Sequence, residues 1–213
     1  MAHLADPLRP LRTKTWIHEA RRKAIHLGFI VIPLQLIHQW LPWPRSRAEW
    51  RLLLLALVVL AVAIDLVRIH DSRAKRLFRS FFGRMIRDHE QINLLGGTYL
   101  LLAALLAIEL FPPPMAAAAI GFTVLGDGIA AMVGRAYGRP FAFGKTLEGT
   151  LAGLLASVGW AAYLVLNGFL PWHIALTGAL VASFVELLPI PLDDNLAMTL
   201  FSGFAMKLLG GNP

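Results

Sequence analysis

Seven long stretches dominated by apolar residues limit this chain more than any other feature. They run near Ala24 to Leu41, Leu52 to Val67, Leu94 to Phe111, Met115 to Val133, Leu147 to Leu170, Trp172 to Leu188 and Leu196 to Leu209. A helix needs roughly 17 to 25 such residues to cross about 30 Å of hydrocarbon. Inside hydrocarbon every backbone polar group must be satisfied within the segment, which favours helix for each. Composition agrees: 57% of the 213 residues are hydrophobic, only 15% are charged, and mean hydropathy is +0.62, outside the range of soluble domains. The predicted fold is all-α, a polytopic transmembrane bundle of about seven spans. The last run is the shortest, short enough for a half-crossing or an interfacial segment.

Charge orients the bundle. Six Lys and Arg residues precede the first run, three follow it, seven lie between the second and third, and three between the fourth and fifth, with Lys207 inside the last. A cytoplasmic N-terminus puts sixteen of these inside and three outside, the asymmetry that topology follows. Residues 1–23 then form a basic cytoplasmic arm with no small-residue cleavage site, and residues 24–210 form one transmembrane catalytic domain. The net charge of +7 lies where lipid headgroups are, so it argues for a bilayer partner and against nucleic acid. The absence of cysteine excludes disulfides, thiolate nucleophiles and iron–sulfur sites. Within residues 70–90, Leu77, Phe78, Phe81, Phe82, Met85 and Ile86 recur at helical spacing among Arg73, Lys75, Arg76, Arg79, Arg84 and Arg87, the pattern of an interfacial amphipathic helix. Pro112, Pro113 and Pro114 make a turn no helix runs through.

The polar residues carry the chemistry. A charge at the centre of a membrane helix costs at least about 2.5 kcal/mol, so each one needs a reason to be there. Asp127, in Gly126-Asp127-Gly128 within an apolar run, is the clearest case, either as a metal ligand or base or as half of an internal ion pair. Downstream lie Gly134-Arg135 and then Lys145-Thr146-Leu147-Glu148-Gly149-Thr150. Backbone amides freed by glycine, with Lys, Arg and a hydroxyl, suit phosphate, and a carboxylate nearby can hold accompanying magnesium. Arg22, Lys23 and His26 stand at the mouth of the first span, and Gly96-Gly97-Thr98 opens the third. Asp193-Asp194-Asn195 offers hard oxygen donors, or a cap for the last helix. With the N-terminus inside, all these clusters share the cytoplasmic face.

The ordered set Arg22-Lys23-x-x-His26, Gly96-Gly97-Thr98-Tyr99, Gly126-Asp127-Gly128-x-Ala130 with Gly134-Arg135, Lys145-Thr146-x-Glu148-Gly149-Thr150 and Asp193-Asp194-Asn195 resembles the CTP-dependent lipid kinases, which include dolichol kinase, phytol kinase and the yeast-type diacylglycerol kinase. The resemblance runs from about residue 20 to residue 204. Family members often carry Asp-Thr or Asp-Ala where this chain has Asp127-Gly128, so no hydroxyl role carries over to Gly128. Phosphatidate cytidylyltransferases share the Gly-Asp, Gly-Arg and Lys-Thr-x-Glu-Gly elements but end in a longer carboxylate signature absent here.

The resemblance implies phosphate transfer from CTP, with Mg²⁺ or another divalent cation, to the hydroxyl of a prenol, polyprenol or diacylglycerol. Arg22, Lys23, Arg135, Lys145 and Thr146, with Gly134 and Gly149, would bind the nucleotide. Asp127, Asp193 and Asp194 would hold the metal, and Asp127, Glu148 or His26 would act as base. Asn195, Gly97 and Thr98 would complete the site. The expected location is a bacterial-type plasma (inner) membrane with the working face cytoplasmic. The same residues also suit a cytidylyltransferase that makes CDP-lipid and, less well because the polar clusters lie on one side, a small ion-coupled transporter. Gly149 and Gly153 form a small-xxx-small pair, which can serve a homo-oligomer or packing within one chain.

Overall fold

The computed structural model describes residues 9–83 and 89–210. Ten α-helices follow one another: α1 Arg9–Gly28, α2 Val31–His38, α3 Arg47–His70, α4 Ser72–Phe82, α5 Gly96–Leu110, α6 Pro113–Gly121, α7 Gly128–Tyr137, α8 Leu147–Leu166, α9 Trp172–Leu187 and α10 Asp194–Gly210. The expected all-α bundle is what forms, and no named strand occurs among the described residues. Three helical stretches are long and apolar enough to cross a membrane: Arg47–His70, Pro113–Tyr137 and Leu147–Leu166; Gly96–Leu110 and Trp172–Leu187 are shorter apolar helices. The outer surface is apolar as well. On α3 Leu52, Val59 and Leu60 are exposed while Trp50, Leu54 and Val58 are buried, so the helix offers one apolar face to its neighbours and another to lipid. The structure is that of a membrane protein.

The first run departs from expectation. Ala24 to Leu41 is not one helix: α1 stops at Gly28 and α2 starts at Val31. Pro33 is the physical cause, because its ring clashes with the carbonyl four residues back and it has no N–H to donate, so it is tolerated only in a first turn. Short i→i+3 bonds, Phe29 N to His26 O (3.1 Å) and Ile30 N to Leu27 O (3.0 Å), carry the chain through the break.

Local chemistry sets the other boundaries. Ser46 and Glu49 close a reciprocal capping box at the start of α3. Asp71 ends α3, and its carboxylate accepts from Arg73 N and Ala74 N to begin α4. The amphipathic helix forms but is shorter than expected: α4 ends at Phe82, and His89–Gln91 is a separate 3₁₀ turn. Arg84, Met85, Ile86 and Arg87 lie outside the described residues, as does part of the basic arm. Leu77 and Phe81 of α4 are exposed, as an interfacial helix requires. Pro113 opens α6 at its first turn, with Pro112 as cap. The last helix, α10, has 17 residues against 16 in α9, so it is no shorter than its neighbour.

At the centre stands α6, with Ala116, Ala117, Ala118 and Ala119 all 0% exposed. A helix apolar on every side belongs in the interior, and alanines let its neighbours approach closely. Between α6 and α7, residues Phe122–Asp127 widen into a π-helical turn, a rare form found chiefly at functional sites. Asp127 is its last residue.

Candidate functional site

Asp127 projects from the π turn and is 8% exposed. The Lys23 ammonium, 1% exposed, donates to Asp127 Oδ2. His26, one turn along α1 and also buried, brings Nε2 to 3.5 Å from the same oxygen and to 3.4 Å from Thr123 O in the π turn. Three residues distant in sequence, two from α1 and one from the π turn, thus form a buried charged layer. The internal ion pair that one reading of Asp127 expected is present. Lys23, expected to bind nucleotide, is instead turned inward onto this carboxylate.

A second layer lies on the neighbouring helices. Lys145, in the loop before α8, donates through Nζ to Glu186 Oε1 (2.8 Å) near the end of α9 and to Asp194 Oδ2 (3.0 Å) at the start of α10. Burial alone would lower the pKa of Lys145, but the Asp194 and Glu186 charges outweigh it and hold the ammonium above the ordinary lysine range. Its side chain keeps 28% exposure and that of Asp194 40%, so solvent reaches this layer.

Asp193 accepts from Asn195 N (2.9 Å) and Asn195 Nδ2 (2.9 Å), a local cap for α10. Burial pushes the Asp193 carboxyl up, the two bonds from Asn195 pull it back, and the Asp194 and Asp127 charges add to the rise. That mutual influence places Asp127 and the acidic turn in one electrostatic neighbourhood. Asn195 Nδ2 also donates to Gly96 O (3.2 Å), which ties α10 to α5.

Beside these layers α1, α3, α4 and α5 enclose a cavity of about 340 Å³. Arg22, His26, Asn195 and Gly97 give it a polar end; Phe29, Ile64, Phe78 and Phe82 make its walls apolar. Two buried polar atoms on its lining residues have no hydrogen-bond partner, Arg22 Nε and Asn195 Oδ1. One is a donor and the other an acceptor, and both atoms are closed off from the cavity by the protein around them.

The remaining expected residues take other positions. Glu148 accepts from Arg139 N (2.8 Å) and pins the α7–α8 loop. Thr146 caps α8 by accepting from Gly149 N (3.2 Å). A Cβ at Gly134 would meet Thr146 Oγ1 at 2.6 Å, and one at Gly149 would meet Ala130 O at 2.7 Å. These two glycines therefore let α7 and α8 touch, and the space near them is filled by protein. Gly153 likewise faces Gly126 and Ala130, so the Gly149–Gly153 pair serves packing within the chain. Arg135 is exposed on the last turn of α7. Gly97 has open space beside it, and Thr98 Oγ1 donates to Asp65 Oδ2 (2.7 Å).

That last bond belongs to a network sequence reasoning missed. Asp65 (0% exposed) and Arg68 (3%) pair at 2.9 Å inside the bundle. Asp65 also accepts from Leu95 N (2.9 Å), while Arg68 donates to Glu90 O (2.7 Å) and Asn93 O (2.8 Å). Glu90 Oε1 accepts from Gly96 N (3.0 Å). The signal was present: a carboxylate inside an apolar run with a base three residues on.

Among the described residues no three His, Asp or Glu side chains converge closely enough to hold a metal ion by themselves. Magnesium usually takes only one or two carboxylates and completes its shell with water and substrate phosphates. The neighbouring Asp193 and Asp194, the latter partly exposed, have the right chemistry for an ion that arrives with phosphates.

Three proteins are similar to this chain in sequence. An uncharacterised protein of Rickettsia prowazekii (strain Madrid E) is 25% identical over 206 residues, covering 90% of this chain and 98% of its own. A probable chloroplastic phytol kinase 3 of Glycine max is 39% identical over 103 residues, 42% of this chain. A probable chloroplastic phytol kinase 2 of Oryza sativa subsp. japonica is equally similar over the same length. The matched stretch spans only 32% and 34% of those two plant proteins. No family model matches, and no solved structure matches.

Proposed function

We propose that this protein is an integral membrane lipid kinase that transfers the terminal phosphate of CTP to the hydroxyl of a membrane lipid alcohol at the cytoplasmic face. One observation carries the reading: a cation-and-carboxylate cluster built from α1, the π turn, α9 and α10 adjoins a cavity with a polar end and apolar walls. Chemistry between a water-borne phosphate donor and a membrane-borne alcohol needs both halves. The partial similarity to plant phytol kinases supports the same class.

In this mechanism the lipid oxygen attacks the γ-phosphorus, the bond from that phosphorus to the β–γ bridging oxygen breaks, and CDP leaves. Such a transition state asks mainly for positioning and neutralised charge. Lys145 supplies a cation that stays charged throughout the physiological range, and Arg22, paired with Glu19 on the same helix, and the exposed Arg135 are further cations for the phosphates. Asp193 and Asp194 would hold Mg²⁺, which would supply neutralisation of the phosphate charge, with Asp127 adding negative charge nearby. His26, which lines the cavity 3.5 Å from Asp127, takes the hydroxyl proton, and Asp127 stabilises the imidazolium that results. Lys23 holds Asp127 in place.

The test is incubation of purified protein with γ-labelled CTP, Mg²⁺ and mixed prenols, diacylglycerol and phosphatidate. Label in a lipid monophosphate is the expected result, and Asp127→Asn should lower that turnover by about 100-fold or more. Labelled pyrophosphate with CDP-lipid would make the protein a cytidylyltransferase instead.

A further inference from the structure

Glu186 is the penultimate residue of α9 and is 7% exposed. A carboxylate so placed in an apolar helix needs a partner or a task. Its partner is Lys145, 41 positions away in sequence, whose Nζ donates to Glu186 Oε1 at 2.8 Å. The space beside Glu186, bounded by Gly126, Thr150, Ser183 and Met198, is too small for a water molecule. No dissolved ligand reaches the carboxylate from that side.

The two carboxylates on Lys145 differ in reach. The side chain of Glu186 is 9% exposed and that of Asp194 is 40% exposed. Asp194 can therefore turn to a cation that arrives with phosphates and release the ammonium, whereas the bond to Glu186 is sheltered. Lys145 needs such a hold. Its backbone closes a tight turn, Lys145 N to Ala142 O (2.8 Å) and Phe141 N to Lys145 O (2.9 Å), with Phe143 at φ 49° and Gly144 at φ 78°. That turn fixes the Cα but leaves the ammonium on a flexible four-carbon stem. Immobilising the stem only when a ligand arrives would weaken binding.

We propose that Glu186 is the positioning residue for Lys145: it holds the ammonium against α9, so that the N–H groups not bonded to Glu186 meet the CTP phosphates. This role rests on the lipid-kinase reading for the identity of the phosphate donor. An ammonium donates three bonds, and Lys145 spends one on Glu186 and one on Asp194. One N–H is thus spare at the outset, and two are spare once Asp194 is released. Glu186 touches neither phosphate nor metal and acts through Lys145 alone.

The test is a double-mutant cycle on CTP binding. Dissociation constants for α-labelled CTP with Mg²⁺ are measured by equilibrium dialysis on the purified protein in detergent, beside KM and kcat for phosphate transfer. Glu186→Ala should weaken CTP about tenfold, raise KM in step and change kcat by less than about twofold. Glu186→Gln keeps the size and an acceptor for Lys145, so it should fold even where Glu186→Ala does not, and weaken CTP by about threefold. In the Lys145→Ala background either substitution should change affinity by less than about twofold. Ser183→Ala, one turn back on α9 with its hydroxyl bonded to Ala179 O, should change nothing. Equal losses with and without the Lys145 side chain, unchanged CTP affinity in the Glu186 variants, or failure of Glu186→Gln to fold would each overturn the proposal. A loss that excess Mg²⁺ abolishes would make Glu186 a metal ligand and overturn it too. Coupled CTP binding without phosphate transfer would keep the positioning role and remove the kinase reading, and phosphate transfer with additive losses would do the reverse. No binding of CTP by the unsubstituted protein would overturn both.

Discussion

Two of the ionic clusters among the described residues are built on opposite plans. In the Asp65–Arg68 cluster both oxygens of the carboxylate have donors, and the guanidinium commits four of its five N–H groups, two to Asp65 and one each to the backbone carbonyls of Glu90 and Asn93. In the cluster around Lys145 and Asp194, side chains retain 28% and 40% exposure, and Lys145 Nζ makes two of the three bonds an ammonium can donate. A saturated network fixes a backbone, here the start of α5 against α3. A network with spare capacity can receive a ligand. Burial of charge is therefore no sign of function by itself; what separates the two is whether the hydrogen-bonding capacity is already used.

Substitutions that cross this comparison sharpen it. The largest expected effect is on folding: Asp65→Ala leaves Arg68 buried without its carboxylate and should cost about 3–5 kcal/mol, read as loss of monodisperse protein after detergent extraction. If this variant folds with an unchanged thermal midpoint, the Asp65 network is not structural. Lys145→Ala leaves the buried Glu186 without its cation and should lower the midpoint less than Asp65→Ala does, because solvent reaches this layer, while raising KM for CTP about 10- to 100-fold, since removing one charge-assisted contact is worth roughly 1.5–3 kcal/mol. Unchanged KM would move the phosphate site elsewhere.

The smallest expected effect concerns pH. Because burial raises the Asp193 pKa in the fold, its protonated form favours the native state. That contribution is fully present below the ordinary carboxylate pKa of about 4 and is lost as pH rises through the folded value. Asp193→Asn should accordingly flatten the decline in thermal midpoint upward from about pH 4. A parallel decline in the variant would assign it to another carboxylate.

Much of this was legible in the residues. Apolar runs specify helices in hydrocarbon whatever their neighbours are, and Ser46 with Glu49, Asp71 and Pro113 act within a turn of themselves, so sequence alone determined the class of fold and most helix boundaries. Asp127, Lys145 and the Asp193–Asn195 turn also stood out, because charge in or beside an apolar run demands a partner. The identity of that partner was decided only by tertiary structure. Lys23 meets Asp127 across 104 positions of chain and Lys145 meets Asp194 across 49, and no local rule couples residues so far apart. The glycines show the same limit: Gly97 opens onto a cavity while Gly134 and Gly149 close a helix contact, and a missing side chain looks identical in sequence whether a ligand or a helix takes up the space.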